Sequence, residues 1–272
     1  MNGLLLGASG NRVGAEVVKF TTTTALWMLP VLTIALTGSL TYLAGRSEVA
    51  ATGGDLAGAT SATNPQLYSA QPLPVEYQGF DMMNIGLILM IALGALYAGS
   101  EYRTGLLRTG LLRSSLVADP HRLRLFATRT TVLALVVAVT ASAAMGGGTV
   151  LRHLALGDQG LDPLAFPPLV WRNIAGVALT WTALALLAFA IGVLARNAIL
   201  PLVVIVPLSV GLGDFLTTLW APARFVPPAA GASLYTPADG THLGAAAGAI
   251  VLVAWVVASL TLAGIVFRRR DA

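Results

Sequence analysis

Six apolar stretches, at about 25–44, 82–99, 130–150, 173–195, 198–220 and 243–267, leave this chain few ways to fold. About 20 consecutive apolar residues make a helix long enough to cross the ~30 Å hydrocarbon layer. Backbone in lipid must also satisfy its own N–H and C=O groups, which a helix does within one segment. Only 10% of the 272 residues are charged, whereas a soluble domain carries about 25%. The expectation is an all-α, polytopic membrane protein with six transmembrane helices, forming a single transmembrane domain over 1–272.

Lys and Arg resist translocation, so their distribution orients the spans. With the N-terminus inside, twelve of the sixteen basic residues fall on inner segments, and Arg46, Arg152, Arg172 and Arg224 fall on outer ones. Both termini are therefore expected in the cytoplasm. The same distribution absorbs the formal charge of +4 without building a basic face for nucleic acid. Arg outnumbers Lys fifteen to one, a bias of GC-rich bacterial genomes, and the expected location is the bacterial inner (plasma) membrane.

Ahead of the first span, Ala15–Phe20 predicts a short interfacial helix, with Glu16 and Lys19 on its wet side and Val13, Val17 and Phe20 on the other. Segment 45–80 is expected as a long outer loop, with Tyr77 and Phe80 at the interface where amphipathic rings settle. Segments 151–172 and 221–242 are expected outside as well. Spans four and five are joined only by Arg196-Asn197, which makes them antiparallel neighbours, and Pro201 or Pro207 can kink the fifth. Gly244 and Gly248 are weak signals of close helix packing.

Several chemistries lack the residues they need. There is no cysteine, so disulfides, thiolate metal sites and a cysteine nucleophile are out of reach, and no other metal-ligand cluster is readable. Leu4–Gly14 imitates a dinucleotide-binding turn, but that motif needs a βαβ unit and an acid about 20 residues on, and here a membrane span follows. Ser9 and Ser233 suggest an intramembrane protease, yet a serine nucleophile needs a nearby base, and His121, His153 and His242 fall at loops or span ends. No phosphate-cradling GxxxxGK[ST] is present, so no ATPase site is expected on this chain. An ion-coupled secondary transporter keeps relay groups near the midplane; the one ionisable residue in the six stretches is Asp214, placed near the outer face as an interfacial residue.

What remains is the polar segment between spans two and three. It holds Glu101, Tyr102, Arg103, Gly105, Arg108, Arg113 and Arg122, with a tandem repeat Thr104–Arg108 and Thr109–Arg113, and Arg129 opens the next span. A five-residue period is out of step with 3.6 residues per turn, so the arginines of the repeat scatter around a helix instead of forming a stripe.

Glu101-Tyr102-Arg103-Thr104-Gly105-Leu106-Leu107-Arg108, followed by Pro120-His121-Arg122 and Arg129, resembles the loop of type-2 ABC transporter permeases, the drug, polyketide and polysaccharide exporters. Their pattern is close to E-Y-R-x-G-T-x-R-x-x-L, then P-x-R. Leu106 stands where that family often has Thr, and Ser114–Ala118 alter the spacing. Ala15-Glu16-Val17-Val18-Lys19 is similar to the family's A-E-x-x-K helix. The resemblance implies a permease that moves a hydrophobic or amphipathic substrate outward. It implies a second permease chain and two ATP-binding subunits at the inner face, with ATP and Mg held on those partners. Loop 100–129 would then carry the coupling helix, over 101–115.

Overall fold

The computed structural model describes residues 14–53, 74–80, 83–100, 122–237 and 242–269. Every regular element among them is helical. A lead-in helix over 14–22 bends at Thr23 into α1 (Thr24–Thr52), followed by α2 (Met83–Gly99), α3 (Arg122–Leu156) and α4 (Pro168–Ala195). Then come α5 (Ile199–Pro207), one π turn (Leu208–Leu212), α6 (Gly213–Leu219), α7 (Pro227–Ala232) and α8 (Ala245–Arg269). Short 3-10 turns at Val75–Tyr77, Gly157–Gln159, Pro163–Ala165 and Ala221–Phe225 complete the described elements.

Five helices, taking the α5–α6 rod over Ile199–Leu219 as one, are long and apolar enough to cross a membrane. The second, Met83–Gly99, is equally apolar but has 17 residues. The chain is a multi-pass helical membrane protein.

α4 is the axis of the bundle, and α2, α3, α5, α7 and α8 all pack on it. Without a hydrophobic drive between helices in lipid, close backbone approach by small residues and dispersion hold them together. The tightest crossing is between α2 and α4: a Cβ on Gly94 would collide with the Ala185 carbonyl oxygen, and one on Gly192 would lie 2.7 Å from the Ala98 Cβ. α1 packs mainly on α3 and carries a buried i, i+4 stripe of Thr33, Thr37 and Thr41, of which Thr37 and Thr41 face Gly148.

Two helices outrun the expected spans. α1 continues past residue 44 to Thr52, and α3 occupies Arg122–Leu156 instead of 130–150. At 1.5 Å per residue these rods are roughly 44 and 52 Å long, beyond the ~30 Å hydrocarbon layer. The first eight residues of the outer segment 45–80 and the first six of 151–172 are therefore helical, and the buried Glu48–Arg152 pair described below joins the two extensions. Phe80, placed at the interface from sequence, is 6% exposed and part of the core.

The fifth span breaks after its second proline. Pro207 lacks the N–H that would continue the ladder, and three residues later Val210 (φ −109°, ψ 53°) and Gly211 (φ 102°) leave helical geometry. Gly211 takes the positive φ that other residues avoid. The expected four-to-five turn is present: Arg196 sits in the left-handed region at φ 53°, and the Asn197 Oδ1 accepts from the Ile199 N–H at 2.7 Å. Of the Gly244/Gly248 pair, only Gly248 meets a neighbour, Ser233 and the Ala230 carbonyl beside α7.

Candidate functional site

The segment singled out from sequence, Glu101, Tyr102, Arg103, Gly105, Arg108 and Arg113, lies outside the described residues, as does the side chain of Arg122. Its two roots are described: α2 ends at Gly99, and α3 begins at Arg122. Between them and the lead-in helix sits a buried polar knot.

Glu16 is its hub. The Tyr97 hydroxyl, on the last turn of α2, donates to Glu16 Oε2 at 2.5 Å. The Arg129 Nε, two turns into α3, donates to Oε1 at 2.9 Å. Both side chains of the ion pair are under a tenth exposed, Arg129 at 7% and Glu16 at 8%. One turn along, the Lys19 ammonium stands 4.9 Å above the Tyr97 ring centroid, within cation–π range. Rings extend the knot into the bundle: Phe20, Tyr97, Phe189, Phe126 and Phe267 follow one another at centroid spacings of 4.9, 5.8, 5.8 and 5.8 Å. That ladder joins the lead-in helix, α2, α4, α3 and α8.

The knot corrects one expectation. Glu16 was assigned to the wet side of an interfacial helix, but it is buried, while Val17 and Val18 are 47% and 58% exposed. Phe20 is buried as expected. A carboxylate can turn inward only where charge and donors compensate it, and Arg129 and Tyr97 provide both. Burial alone would raise the Glu16 pKa, but Arg129, the Tyr97 hydroxyl and Lys19 outweigh it and hold the carboxyl below its ordinary value. Burial pushes Lys19 down to about 8, with Arg129 adding to the push and Glu16 resisting it.

At the opposite end of α1 and α3 a second buried pair closes the bundle. Arg152 Nη2 donates to Glu48 and, at 2.9 Å, to Gln78 Oε1. Gly79, at φ 97°, lets the 74–80 segment lie against Arg152 and the Thr149 backbone, where a Cβ would be 3.3 Å from both. Next to it, His153 is buried and its Nδ1 accepts from the Leu161 N–H at 3.1 Å, its ring 5.0 Å from Phe166.

Asp214 follows the break between α5 and α6. Its Oδ1 is 3.7 Å from His242 Nε2, and the two share a cavity of about 120 Å³ with Tyr235, Thr180, Ser209 and Asn84. The Asp214 side chain is 65% exposed, so it is a rim group and not a buried relay.

Tyr97 and Glu48 were not singled out from sequence. The signal for Tyr97 was one hydroxyl in the run Gly94–Gly99 of small and apolar residues; that for Glu48 and Arg152 was two lone, opposite charges at the edges of apolar runs. Among the described residues, no three of His, Asp and Glu converge on a point that could hold a metal. Comparison of the chain with protein-family models, with curated proteins and with solved structures gave no match.

Proposed function

We propose that this chain is the membrane-spanning permease subunit of an ATP-driven exporter of the type-2 ABC class. It moves a hydrophobic or amphipathic substrate out of the cell, with ATP hydrolysed on a separate subunit. In this reading both termini and the 101–121 segment face the cytoplasm. Two ATP-binding subunits dock on that segment, and a second permease chain completes the assembly.

The observation that supports it is the Glu16 knot. A motor pushing on the segment between α2 and α3 moves the bundle only if the roots of that segment are tied to something stiff. Tyr97, four residues before Glu101, and Arg129, seven after Arg122, grip the two oxygens of one carboxylate. A displacement of the segment is thereby passed to α2, α3 and the lead-in helix together. Glu101, Arg103, Arg108 and Arg113 supply the charged contacts for the motor itself.

Three experiments decide between this reading and its rival. Co-expressed with its partner ATPase, the chain co-purifies as two permease and two ATPase subunits, and hydrolysis is stimulated by the permease. Glu101→Ala or Arg108→Ala leaves the protein inserted but lowers transport about tenfold, since a lost charge-assisted contact costs ~1.5–3 kcal/mol. The rival, an ion-coupled carrier, takes its support from Asp214 and His242 beside a broken helix. Transport by the isolated chain in liposomes, driven by a proton or sodium gradient without ATP, would establish that rival.

A further inference from the structure

The first turns of α3 and the last turns of α8 leave between them a laterally open groove of about 450 Å³. Its walls are mostly apolar, with Leu123, Phe126 and Ala127 on one side and Leu260, Gly264 and Ile265 on the other, and threonines complete the lining on both helices. The groove is open because residue 264 has no side chain; a Cβ there would already touch the Phe126 ring at 3.5 Å.

Helical spacing continues each wall into a positive charge. Arg124 is three residues from Ala127 and seven from Thr131, both lining the groove, so it lies on the same stripe one turn nearer the end. Arg268 bears the same relation to Ile265, Gly264 and Thr261. α3 begins and α8 ends at this face of the bundle, so the two arginines flank the same mouth. Both are exposed. Glu16 is the one acid among the described residues at that end, and it is held by Arg129 and Tyr97. An apolar trough with two exposed cations at its mouth matches an amphiphile with a hydrocarbon tail and a phosphate head.

We propose that this groove seats one acyl chain of an anionic phospholipid, with its phosphate bound by Arg124 and Arg268. Mouth and trough act on different parts of the ligand: the arginines select the headgroup charge, and Gly264 sets the depth available to the chain. The proposal rests on membrane embedding alone and is independent of the ATPase reading. In the orientation given above, the lipid belongs to the inner leaflet.

The test uses the full chain in lipid nanodiscs with phosphatidylglycerol carrying a diazirine in its acyl chain, beside phosphatidylcholine with the same chain. Cross-links are mapped by mass spectrometry after illumination. Phosphatidylglycerol is expected to label Leu123–Thr131 and Leu260–Ile265 well above Val31 and Ile34, which are equally open on α1. Each of R124Q and R268Q is expected to lower that labelling about fivefold, and phosphatidylcholine labelling is expected to stay low throughout. G264L is expected to lower labelling at both groove stretches and leave α1 unchanged. Should G264L not fold, the two arginine variants, on exposed side chains, still decide the matter. Equal labelling by the two lipids, uniform labelling of α1 and the groove, or no labelling of the groove by either lipid because a second copy of the chain covers it would each overturn the proposal.

Discussion

Both oxygens of the Glu16 carboxylate are committed, one to a phenol and one to a guanidinium. Removing one member of a buried ion pair strands the other, at a cost of about 3–5 kcal/mol. Glu16→Gln is therefore expected to lower the thermal midpoint in detergent sharply. Adding Arg129→Gln is expected to return part of the loss, a coupling that a double-mutant cycle reads directly. The same groups set the pH response. Because the folded carboxyl lies below its ordinary value of 4.5, its contribution is full above that pH and disappears as pH falls through the folded value. Lys19 acts in the opposite range: held at about 8 against 10.5 when free, it costs stability at neutral pH, and that cost is relieved as pH rises from about 8 towards 10.5. Thermal midpoints followed across pH should fall on the acid side in the native protein, whereas the Glu16→Gln variant, which keeps only the Glu48–Arg152 pair, should fall less there.

Helix against helix, the bundle depends on where a side chain is forbidden. Gly94→Val drives a branched side chain into the Ala185 carbonyl, and overpacking of that kind costs about 1–3 kcal/mol. Gly147, in the interior of α3, has nothing within 4 Å of its Cβ position, so Gly147→Ala is expected to gain up to ~1 kcal/mol from helix propensity alone. Opposite shifts of the two midpoints in the same detergent check both claims. Gly94 is marked by its place among the small residues Gly86, Ala95, Ala98 and Gly99 of one span, but hydropathy does not separate these glycines, because it reports that a segment enters lipid and not which face meets a neighbour. That limit runs through the whole chain. The apolar helices were legible at Leu26, Ile91, Trp181 and Leu252, where a charge-free run leaves one outcome. The ends of α1 and α3 were not, because Glu48 and Arg152 each look like loop residues until the other is beside it. The candidate site was half legible: Glu16 and Lys19 stood out as charges, but their inward facing depends on Tyr97 and Arg129, far away in the sequence. The break at Gly211 was displaced from the prolines for a related reason, since a proline weakens the ladder while a glycine accepts the positive φ that completes the bend.

For the whole molecule the absence of cysteine is an experimental asset, since any cysteine introduced is the sole thiol. One at Ser61 is expected to react with an impermeant reagent from outside intact cells, and one at Ser114 only after permeabilisation. Labelling of Ser114 from outside would invert the proposed orientation and with it the docking of a cytoplasmic motor. The two buried ion pairs also carry a consequence for how the chain is made. Glu16 waits 113 residues for Arg129, and Glu48 waits 104 for Arg152. At a synthesis rate of about 5–20 residues per second that is roughly 5–20 s during which two acids flank the first span without their cations. The first span must therefore enter the membrane on its apolar length alone, and arrival of the third neutralises both of its ends within one helix. Until α3 is threaded, the nascent chain holds Glu16 and Glu48 at the two ends of its first span without Arg129 and Arg152, so assembly of the third span completes both ends of the first.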